Sequence, residues 1–97
     1  MHRVLLERKI RDVHTRLVRA REELAVLDEQ LLVVMDSADE ARVRSLVSET
    51  PLAAHEHNEA ARHAEAMAKA RAALAGTVIE LEHRQDELLA DVASSPT

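Results

Sequence analysis

The chain has 97 residues, enough for one small domain, and its 18 acidic against 13 basic residues give a formal net charge of −5. It contains no cysteine and no Phe, Tyr or Trp. That excludes a disulfide scaffold, a thiol nucleophile, a cysteine-based zinc site and an aromatic platform for stacking bases.

One Gly, two Pro and a high content of Ala, Glu, Leu and Arg point to helix nearly throughout. Helix 1 is predicted over about residues 3–35. Its stripe is Leu6, Ile10, Val13, Leu17, Ala20, Leu24, Leu27, Leu31 and Val34, spaced alternately four and three. That is a heptad seam, which keeps apolar residues facing a partner helix along its whole length. Flanking charges change sign along it. Residues 1–21 carry a net +5, while residues 22–40 carry −7 with no Lys or Arg.

A connector is predicted over about residues 36–50. Ser37 and Glu40 match a capping box, and Val43, Leu46 and Val47 would form the apolar face of a short helix. Thr50-Pro51 is a strong start signal: Thr is a preferred N-cap, and Pro is tolerated at the first helical position. Helix 2 is predicted over about residues 51–92, with a tail at 93–97. Its seam is Ala53, His57, Ala60, Ala64, Met67, Arg71, Leu74, Val78, Leu81, Gln85, Leu88 and Val92. The seam keeps phase across Gly76, so one continuous helix is expected.

The expected fold is therefore all-α: an antiparallel two-helix coiled-coil hairpin, with a short helix in the connector, assembling into a helical bundle. The basic start of helix 1 would lie beside Glu80, Glu82, Asp86, Glu87 and Asp91. Matching the seams puts Ile10 by Leu81, Leu17 by Leu74 and Arg71 opposite Ala20.

Several groups of side chains are candidates for chemistry or binding. His55, Glu59 and His63 share one helix face at i, i+4 and i+8, a spacing that suits a divalent metal, although the seam places that face outward. Glu80-x-x-His83 matches half of a di-iron element, but only one copy occurs. His57, on the seam, reads as a satisfied boundary histidine. Val26, Leu32, Val33 and Met35 point away from the seam, and one partner helix cannot cover them. Beside the seam of helix 2, Ala54, Ala61, Ala68 and Ala75 would let a further helix approach closely.

A further group is acidic. Asp36, Asp39 and Glu40 would stand at the hairpin tip, where they also suit helix capping and the helix dipole. A hairpin with such a tip resembles the N-terminal arm of Gre-type transcript-cleavage factors, which enters the secondary channel of RNA polymerase. The resemblance covers the hairpin and these three carboxylates, and not the globular second domain of that family. It implies a transcription- or ribosome-associated regulator working through the tip.

No serine, cysteine or lysine stands beside a plausible base, and no Gly-rich phosphate loop occurs, so neither enzyme activity nor a cofactor is expected. The basic charges of residues 3–21 occupy several helix faces, which argues against direct nucleic-acid binding. The longest apolar run, Leu31 to Met35, is far too short for a membrane span, and the first residues do not read as a secretion signal. A cytoplasmic location is expected. Arg outnumbers Lys 11 to 2, a bias typical of high-GC bacteria. The primary expectation is a protein–protein interaction module, either a homodimer forming a four-helix bundle near the tip or a docking partner of a larger complex. A metal-binding helical bundle is the further alternative.

Overall fold

The structure, a computed structural model, describes residues 2–95. They form two α-helices, α1 (His2–Ser48) and α2 (Pro51–Ser94), of 47 and 44 residues. The helices pack against each other antiparallel as a helical hairpin. Among the described residues no helix is long and apolar enough to cross a membrane. Of the expected tail, Pro96 and Thr97 lie outside the described residues.

The short helix expected in the connector is absent as a separate element. Residues 36–48 continue α1, and only Glu49 and Thr50 separate the two helices. The seam explains this. Beyond Val34 it runs on in phase through Ala38, Ala41 and Ser45, which are half-buried, buried and half-buried. Nothing between Asp36 and Ser48 is Gly or Pro, so propagation continues through the capping-box motif. Val43, Leu46 and Val47, expected to face inward, are exposed instead.

The turn is tight. Glu49 adopts a left-handed φ of 49°, and its N–H donates to the Ser45 carbonyl at 3.2 Å. That is the left-handed residue that commonly closes a helix, here without glycine. Thr50 then starts α2 as predicted. Its Oγ1 accepts from the Ala53 N–H at 3.1 Å, and its carbonyl accepts from the Ala54 N–H at 3.0 Å. Pro51 occupies the first helical position, where its missing N–H leaves no bond unmade.

The two-residue turn resets the register. Asp28 pairs with Arg71, and His14 lies against Gln85. The expected register set Ile10 by Leu81, which would have brought Asp28 near His63. Partners have moved by about one heptad, the slip that keeps both seams facing each other. The expected charge match survives it, since Arg21 pairs with Glu82 at 3.5 Å.

The chain divides into two compact units. The first, within Met1–Leu24 and Leu74–Thr97, holds a continuous aliphatic core. Leu6, Val13, Leu17, Ala20, Val78, Leu81 and Leu88 are buried, with Ile10, Leu24, Leu74 and Val92 packed against them. Leu17 and Leu88 are fully enclosed, at 0% and 1% exposure. The second unit, Ala25–Ala73, is built differently. Its buried residues are Ala41 and Ala53, and much of its seam is alanine. Small side chains allow close helix approach but remove little apolar surface from water.

Candidate interaction surface

The second unit has its bulky aliphatic residues on the outside. Leu32, Val33 and Val47 are 67%, 66% and 80% exposed, and Val26, Met35, Val43, Leu46 and Leu52 are also exposed. Seven of these eight sit on α1, and their placement follows from helix periodicity. Val26, Val33 and Val47 share one heptad position, and Leu32 and Leu46 share the position beside it. Both positions lie across the helix from the seam. Thus the four apolar residues expected to escape the seam do so. The stripe also continues to the turn, because Val43, Leu46 and Val47 belong to α1 and extend it.

Asp36, Asp39 and Glu40 interrupt this stripe. They are exposed on the body of α1, not at the tip, and Asp36 stands about 20 Å of helix before the turn. None of them caps a helix. Val43 and Arg44 share with Asp39 and Glu40 the lining of an open surface depression. Among the described residues, the ion pairs lie elsewhere: Arg3–Glu7, Arg21–Glu82, Arg62–Glu59, Lys69–Glu65, Arg71–Asp28 and Arg84–Glu87. Glu29, Asp36, Asp39 and Glu40 take part in none of them.

The histidine face is open. His55, Glu59 and His63 are exposed, and Glu59 is engaged by Arg62. The first and last of the three are eight residues apart, about 12 Å along the helix, so they do not converge on a point. Among the described residues, no three His, Cys, Asp or Glu side chains gather in a way that could hold a metal ion. Glu80 and His83 are exposed as well.

Three seam positions carry polar chemistry. Arg71 is half-buried, and its Nε–H donates to Asp28 Oδ1 at 2.7 Å. That hydrogen bond, and then the carboxylate charge, hold the guanidinium above its ordinary pKa. Gln85 Nε2 lies 3.4 Å from His14 Nδ1. His57 is half-buried, and its Nδ1 is enclosed without a hydrogen-bond partner. The expected satisfied boundary histidine is therefore unsatisfied at one nitrogen.

Sequence reasoning missed the outer stripe beyond residue 35. The signal was present, because Leu46-Val47 repeats Leu32-Val33 two heptads later. No protein family, curated protein or solved structure matches the chain.

Proposed function

We propose that the chain is a non-enzymatic protein–protein interaction module that works by self-association, as a homodimer, or by docking on a larger complex. The observation that carries this reading is the contrast within Ala25–Ala73: a seam rich in alanine inside, and a stripe of bulky aliphatic residues outside. Covering such side chains contributes roughly 1.5–3 kcal/mol each as an upper estimate, which is large for a small aromatic-free fold. Asp36, Asp39 and Glu40 belong to this same surface, so they support docking along α1 rather than insertion of an acidic tip.

The test is sedimentation of the wild type beside the double change Leu32→Glu plus Val33→Glu. Association by the wild type, lost in the variant while its helix content persists, supports the reading. A wild type that is monomeric at high micromolar concentration and has no binding partner in lysate overturns it.

A further inference from the structure

We propose that the occupant of the apolar–acidic face of α1 is the basic, apolar start of α1 from a second copy of this chain. This rests on the self-association reading above and names the surface that pairs with the stripe. The outward face at the start of α1 carries Val4, Leu5, Arg8, Arg11, Val18 and Arg19, all exposed. The outward face further along carries Leu32, Val33, Asp39, Glu40, Leu46 and Val47, also exposed.

The two faces match in spacing and in charge. Each has an apolar site at both ends, two heptads apart, and a charged site between them. On the first face, Val4-Leu5 and Val18 bracket Arg11. On the second, Leu32-Val33 and Leu46-Val47 bracket Asp39-Glu40. Laid antiparallel, Val4 meets Val47, Leu5 meets Leu46, Val18 meets Val33 and Arg11 meets Glu40. Arg8 falls one turn away, beside the same carboxylates. Asp12 against Asp39 and Glu22 against Glu29 are like-charge pairs within this register, and Arg19 meets Leu32.

Intramolecular pairing leaves these charges open. Among the described residues, Arg8, Arg11, Arg19, Asp39 and Glu40 take part in no ion pair, although six pairs form elsewhere. In this register residues 1–21, with a net +5, face residues 30–50, where Asp36, Asp39, Glu40 and Glu49 outnumber Arg42 and Arg44, so the two stretches attract. Parallel packing of the same stripe would stack carboxylate on carboxylate. Each chain supplies both faces, so copies of this chain suffice to cover the stripe.

Two charge-reversed variants test this: Glu40→Lys, and Arg8→Glu plus Arg11→Glu. Circular dichroism checks that each remains helical, and sedimentation gives its dissociation constant. The wild type is expected to dimerise, more weakly at high salt. Each variant alone should bind itself at least about tenfold more weakly, because like charges now meet. An equimolar mixture of the two should recover the dimer. Wild-type dimers with both variants unaffected would overturn this inference and leave self-association standing through another surface. A monomeric wild type would overturn both. Should a reversal variant lose its helix, Glu40→Gln replaces it, and a dimer as tight as wild type would then count against the proposal.

Discussion

Arg71 reaches across the hairpin to Asp28, with Nε and Oδ1 2.7 Å apart, from a seam position otherwise suited to an apolar residue. Both side chains remain more than two-fifths exposed, so the pair contributes little to stability through charge alone. Its effect is on register. A heptad seam can slip by seven residues and still bury apolar side chains, whereas a guanidinium at one position accepts only one neighbour.

Arg71→Leu is therefore expected to hold or raise the melting temperature while loosening the register. Spin labels at the exposed positions Thr15 and Arg84 report it. Wild type should give one short distance. The variant should add populations displaced by about 10 Å, the length of one heptad of helix. An unchanged single distance would show that the turn alone sets the register.

Gly76 offers a stabilising change. Its φ is not positive, and a Cβ built there meets nothing within 4 Å. Gly76→Ala removes a flexible residue from a helix interior and should stabilise the fold by about 0.5–1 kcal/mol. Thermal or urea unfolding measures it, and a destabilised variant would contradict the open environment of this site.

At the turn, the two residues should respond in opposite directions. Glu49 has a Cβ in the left-handed region, which costs roughly 1–2 kcal/mol and which Asn tolerates better. Glu49→Asn should therefore raise the unfolding midpoint. Thr50→Ala removes the oxygen that accepts from the Ala53 N–H and should cost about 1 kcal/mol. Urea titrations of both variants check the signs.

His57 is the polar flaw in the second unit. Replacing it with Leu removes an enclosed nitrogen that has no partner and adds apolar volume to an alanine-rich seam. Unpaired buried polar groups cost about 1–3 kcal/mol, so His57→Leu should raise stability by about 1 kcal/mol or more. A lower melting temperature would mean that the imidazole fills space a leucine cannot.

Bulky residues made the sequence legible, and small ones hid the rest. Leu6 to Val34 and Leu74 to Val92 announced both helices and their facing edges, and Thr50-Pro51 announced the start of α2. The continuation of α1 was carried by Ala38, Ala41 and Ser45, whose side chains give almost no hydropathy signal although Ala41 is buried. Meanwhile Val43, Leu46 and Val47 suggested a core face where the helix has an outer one. Ser37 and Glu40 fit a capping box by type and spacing, but a cap requires the preceding helix to stop, and nothing here stops it. The register followed from that error, because the turn comes at Glu49-Thr50 rather than across a longer connector. The unpartnered nitrogen of His57 has no sequence signature.

Pro51 has a consequence beyond starting α2. Long hairpins closed by short turns tend to open and trade halves with a neighbour, each chain straightening into one rod. In such a rod Pro51 would sit in a helix interior. There it would lack the hydrogen bond to the Val47 carbonyl and collide with that group, at about 3 kcal/mol, while Thr50 would be pushed out of helical geometry. A single ring thus acts as a latch that keeps each molecule folded upon itself, and Pro51→Ala releases it toward chain-exchanged dimers.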